Sequence, residues 1–220
     1  MRNNAFTICL TTFVAGIFGF FLRWLQTLNG FDEEGLAIPG AATAVVYLVY
    51  SLLALCVFVF IARVYLRRKS LSDKAGEALY AGNIIPTALM WAVAVVMAVS
   101  CVVLMFSSDF ARYPTMQRMM SALGIFSALC LPFILRRKAE SEDGGIGGIA
   151  AVIPVLFGCL WLITAYRIES ENPVLWSCAL EILAIVASTL SFYYVAAYFY
   201  GRAKPARGVV MLQVAVYLCM

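Results

Sequence analysis

The chain has 220 residues, 64% of them apolar and 13% charged, and a mean hydropathy of +0.92. A soluble domain is about half apolar and a quarter charged, so a water-soluble fold is excluded. The net charge of +4 is too small to mark a nucleic-acid binder, and the lack of histidine removes the commonest general base and metal ligand.

The apolar residues fall into seven segments: 5–22, 41–62, 84–106, 119–135, 145–166, 173–200 and 208–220. Runs of this length separated by short charged stretches predict an all-α, polytopic bundle of transmembrane helices forming a single domain over 1–220. At ~1.5 Å per residue the first six can each cross a ~30 Å hydrocarbon core. The first follows Arg2 and could be a signal peptide, but no A-x-A site follows and the run ends at Phe21-Leu22-Arg23-Trp24, so an uncleaved helix is expected. The seventh has 13 residues and ends in "VAVYLCM" without a charged flank, which reads as a span cut short.

Charge sets the expected orientation. Arg2, Arg63, Arg67, Arg68, Lys69, Lys74, Arg136, Arg137, Lys138, Arg202, Lys204 and Arg207 fall on one side; Arg23, Arg112, Arg118 and Arg167 fall on the other. The richer side is cytoplasmic by the positive-inside rule, so the amino terminus is expected in the cytoplasm and the loop after the first segment outside. The basic loop "RVYLRRKSLSDK" is read as this topology determinant, within reach of anionic headgroups. The cell (plasma) membrane of a bacterium, its inner membrane, is the expected location.

Pro154 lies about ten residues into the fifth segment, where it opposes the carbonyl of Ala150 and predicts a kink. Such a break exposes backbone to a substrate in some transporters and only bends the helix in most bundles. Small residues four apart favour close helix contact: Ala15/Gly19, Ala94/Ala98, Gly144/Gly148, Ala184/Ser188 and Ala197/Gly201. The glycine-rich "EDGGIGGIAA" lacks the Lys-Ser/Thr of a P-loop and reads as a flexible start to helix five. Cys9, Cys56, Cys101, Cys130, Cys159, Cys178 and Cys219 all lie inside apolar segments without CxxC spacing, so packing is expected rather than a disulfide or a zinc site.

The longest outer loop, "LRWLQTLNGFDEEGLAIPG", turns at Asp32, Glu33, Glu34 and Gly35. Contiguous acids are a solvated turn rather than the spaced oxygens of a calcium site. Arg23-Trp24 after helix one, Asp32 to Gly40, Asn172-Pro173-Val174-Leu175 before helix six and Tyr200-Gly201-Arg202 after it are motifs of low specificity. In these the chain resembles an uncharacterised family of small multi-spanning, about seven-helix membrane proteins from anaerobic Gram-positive bacteria. The resemblance covers about a quarter of the chain and the segment layout, and it implies a helical bundle but no activity, substrate or site residue.

One acid stands inside an apolar segment: Glu181, in "NPVLWSCALEILAIVASTL". Eight residues below Pro173 it is ~12 Å into the bilayer, where a charged group costs about 2.5–3.5 kcal/mol. It is expected to be protonated, to face the bundle interior and to bond to a hydroxyl at its own depth. Tyr47, Tyr50, Ser51 and Ser100 are the leading candidates, in a layer that also contains Thr11, Thr12, Ser127 and Gly158. Three readings stand for Glu181: a structural lock between helices, a proton or cation site, and an interfacial residue on a helix set higher in the membrane. Ser188, Ser191, Tyr194 and Tyr198 continue a polar stripe below it.

Catalysis is disfavoured. Without histidine there is no HExxH, Ser-His or Cys-His arrangement, and Asp32, Asp73, Asp109 and Asp143 all lie outside the segments, which excludes an intramembrane aspartyl pair. No nucleotide motif is present, and no lysine in the last segment could form a Schiff base. No cofactor is expected. The lipid bilayer is the expected partner, with an unidentified membrane protein as a second and nucleic acid as none. Two functions remain: a non-catalytic structural or sensing component of an envelope complex, or a small secondary transporter, or transporter component, that uses Glu181.

Overall fold

The computed structural model describes residues 2–30, 43–67, 84–106, 114–136, 145–169, 175–202 and 205–219. They form seven helices: α1 (Arg2–Gly30), α2 (Thr43–Arg67), α3 (Ile84–Phe106), α4 (Pro114–Arg136), α5 (Gly145–Glu169), α6 (Leu175–Phe199) and α7 (Pro205–Cys219). No strand occurs among the described residues. The turn at Asp32 to Gly40, the loop from Arg68 to Lys74 and the residues Asn172 to Val174 before α6 lie outside them.

Each helix overlaps one apolar segment, but α1 runs on to Gly30, eight residues past the segment 5–22 and into the stretch read as the outer loop; several boundaries have local causes. Pro114 and Pro205 open α4 and α7 as first residues, where the missing N–H is not needed. α6 closes in a Schellman motif. Gly201 takes φ 65°, its N–H donates to the Tyr198 carbonyl at 3.0 Å, and the Arg202 N–H reaches back to the Ala197 carbonyl at 2.9 Å. Pro132 and Pro154 sit inside α4 and α5, which stay helical through them. The carbonyls they displace, four residues back, belong to the buried Ala128 and Ala150 and so lie within protein rather than against lipid.

Among the described residues five helices contain a stretch long and apolar enough to cross a membrane: Val45–Val64, Thr87–Phe106, Pro114–Ile134, Gly147–Arg167 and Leu180–Phe199. The last turns of α1 carry Arg23, Gln26 and Asn29. α7, with 15 residues, is shorter. The outer faces carry large apolar side chains, Phe60 at 70% exposure and Leu89 and Val96 at 66%. Such a surface belongs in lipid, since in water it would drive aggregation.

The helices pack as two compact units. The first comprises Met1–Ser70, Tyr166–Ser188 and Val209–Met220; the second comprises Leu71–Ala165 and Thr189–Gly208. Helix α6 contributes to both. The core of the second unit joins Ala94 of α3, Leu131 and Ile134 of α4, Ala150 and Ala151 of α5, and Ala196 and Phe199 of α6. The alanines let the helix backbones approach, and Gly158 carries this furthest: a Cβ there would overlap the Thr189 hydroxyl. In the first unit α1 packs on α2, and Gly19 lies under the ring of Tyr217 on α7.

Candidate functional site

The first unit is organised around its shortest helix. Gln213, Ala215 and Tyr217 of α7 are all buried, at 5%, 6% and 4% exposure. The Gln213 Nε2 donates to the Thr12 hydroxyl of α1 at 3.0 Å. The Tyr217 hydroxyl donates to the Ser51 carbonyl of α2 at 3.2 Å, and its ring stacks on Phe58 with centroids 6.3 Å apart. Cys219 Sγ and Ser188 Oγ of α6 are 3.3 Å apart. One short helix therefore bonds to three others. Thr12 lies beside Gln213 and Gly19 beside Tyr217, so numbers rise together and α7 runs in the same direction as α1. The apolar composition of α7 supplies the burial, and its two long polar side chains supply the register.

The glutamines are the polar residues that the sequence reading passed over. The chain has three, Gln26, Gln117 and Gln213, and all three are buried. Gln26 accepts from the Arg23 guanidinium at 3.0 Å. In the second unit Gln117, in the first turn of α4, donates to the Leu104 carbonyl near the end of α3 and clasps that hairpin. An amide in an apolar helix must find a partner, which was the available signal. Ser121 and Ser127 of α4 are also buried, and their hydroxyls have no partner among the described residues.

Glu181 is exposed, contrary to the expectation that it faces the interior under cover. It lies seven residues before Ser188, two turns less about 20°, on the same face as the buried Ile185. Ser188, two turns further along α6, meets Cys219 of α7. Among the described residues nothing bonds to it.

Among the described residues none of the proposed donors bonds to Glu181. Tyr47 is half-buried, Tyr50 is 57% exposed, and Ser51 is buried with its carbonyl engaged by Tyr217. Ser100 belongs to the second unit, is exposed, and donates to the Val96 carbonyl of its own helix at 2.9 Å. Of the stripe below Glu181, Ser191 is buried, and Tyr194 and Tyr198 are half-buried. The described residues contain no group of three acids or cysteines able to hold a metal ion. Cys56, Cys101, Cys130, Cys159 and Cys219 are free thiols. No protein-family model matches the chain, and neither a curated protein nor a solved structure is detectably similar to it.

Proposed function

We propose that this chain is a non-catalytic, multi-pass integral membrane protein, a structural or sensing component of an envelope complex in a bacterial plasma membrane. In this reading it has six full spans and a partial seventh, its amino terminus is cytoplasmic, and it belongs with the small seven-helix proteins that its motifs resemble. One observation carries the functional part: the buried polar side chains among the described residues are uncharged amides and hydroxyls, and three of the long ones, Gln117, Gln213 and Tyr217, tie one helix to another. Gln213 to Thr12, Tyr217 to Ser51 and Gln117 to Leu104 are bonds of that kind. A proton- or cation-coupled transporter is expected to keep a titratable group in its interior. Glu181, the acid that would serve, is exposed.

The test is flux. The purified chain in sealed phosphatidylcholine vesicles, with a pH-sensitive dye inside and an imposed proton or sodium gradient, should dissipate the gradient no faster than protein-free vesicles. Faster dissipation that Glu181→Gln abolishes would replace this reading with a transporter that uses Glu181.

A further inference from the structure

Two helices of the second unit present matching stripes to each other. Gly124 of α4 lies against the ring of Phe157 of α5. Seven residues further along α4, Leu131 joins the core cluster that holds Ala150, seven residues back along α5. The two helices are therefore antiparallel, and Ser127, three residues past Gly124, is level with Pro154, three residues before Phe157. Gly124, Ser127 and Leu131 share one face of α4, and Phe157, Pro154 and Ala150 share one face of α5, since steps of three and four residues return to the same side of a helix. Ser127 is 1% exposed, and its hydroxyl has no partner among the described residues. Across from it Pro154 brings no N–H, so the carbonyl of the buried Ala150 loses the donor that the helix would otherwise supply. A helical carbonyl points toward the carboxyl end of its helix, so that of Ala150 points toward Pro154 and the level of Ser127.

We propose that the Ser127 hydroxyl and the Ala150 carbonyl form a seat inside the membrane for a water molecule, which joins α4 to α5. The chemistry selects the ligand. The carbonyl only accepts, whereas the hydroxyl both donates and accepts, so the bridging group has to donate to the one and meet the other in either sense. Water does this in the smallest volume and without charge, and polar groups freed by a proline in a membrane helix are satisfied in this way. A cation would bring its charge into a core whose buried polar side chains, among the described residues, are uncharged. The bridge replaces the bond that Pro154 removes and leaves α5 free to bend there. It does not depend on the functional reading above.

Magic-angle-spinning NMR with polarisation transfer from water protons reads the seat directly. The whole chain, labelled with 13C and 15N in alanine, is reconstituted in phosphatidylcholine bilayers. The Ala150 and Ala196 carbonyls are selected through their bonds to the nitrogens of Ala151 and Ala197. Both residues are buried at 5% exposure, and the Ala196 carbonyl accepts from the Tyr200 N–H, which makes it the dry reference. In the parent, transfer to Ala150 should exceed transfer to Ala196. Ser127→Ala should reduce it to the Ala196 level, as should Pro154→Ala, which restores a donor to the Ala150 carbonyl. Ser121→Ala, which removes an equally buried hydroxyl elsewhere on α4, should leave it unchanged. Transfer to Ala150 no greater than to Ala196 in the parent, a result that needs no variant to fold, would overturn the seat. So would transfer that survives Ser127→Ala or Pro154→Ala, or that Ser121→Ala also removes.

Discussion

Gly201 and Tyr217 carry local roles that a single substitution can isolate. Gly201 holds φ 65° at the end of α6, a conformation that any other L-residue adopts at a penalty. Gly201→Ala is expected to cost about 1 kcal/mol, read as a lowered midpoint in thermal unfolding in mild detergent. A midpoint equal to the parent's would remove the turn from the account. Tyr217→Phe keeps the ring stacked on Phe58 and removes only the bond to the Ser51 carbonyl. It should cost about 0.5–1.5 kcal/mol, whereas Tyr217→Ala also loses the packing on Gly19 and should cost about 3–5 kcal/mol. Equal losses in the two variants would mean that the hydroxyl, rather than the ring, holds α7. At Gly158, the Cβ of valine would meet the Thr189 hydroxyl, and Gly158→Val is expected to destabilise by about 1–3 kcal/mol.

At the scale of the element, where the helices lie was legible and which way they face was not. Apolar run lengths, with Pro114, Pro205 and Gly201 as punctuation, placed seven helices near their observed bounds. The faces were hidden because lipid is as apolar as a protein core, so a membrane helix need not segregate its side chains. In α2, for instance, Phe60 faces out and Phe58 stacks on Tyr217, and both are phenylalanine. Polar residues are the exception, and they mark the interior: Gln117 and Gln213 do so correctly. Glu181 was expected to face the bundle interior and is exposed instead. The same reasoning makes α7 the element that the first unit can least spare. A chain ending after Arg202 should accumulate to lower levels in membranes and unfold at lower temperature. Truncation after Arg202 without effect on either would contradict the bonding of α7 to α1, α2 and α6.

At the scale of the whole molecule, the proposed orientation follows from charge, since the side chains of α1 to α6 alone do not distinguish one membrane face from the other. Single cysteines introduced at Asn29 and at Ser72, in a chain stripped of its own cysteines, test it. In intact cells an impermeant maleimide should label position 29 and leave 72 unmodified until the cells are opened. The reverse pattern would invert the topology, and with it the direction proposed for α7.

The central claim is that Gln117, Gln213 and Tyr217 join helices. The bond between Gln213 and Thr12 tests it most directly, because it links residues 201 positions apart in the chain and lies inside the first unit. In a double-mutant cycle of Thr12→Val and Gln213→Leu, followed by thermal unfolding in detergent, the two substitutions should be coupled by about 0.5–1.5 kcal/mol in favour of the native pair. Strictly additive losses, or a double variant more stable than the parent by the same margin, would contradict the claim.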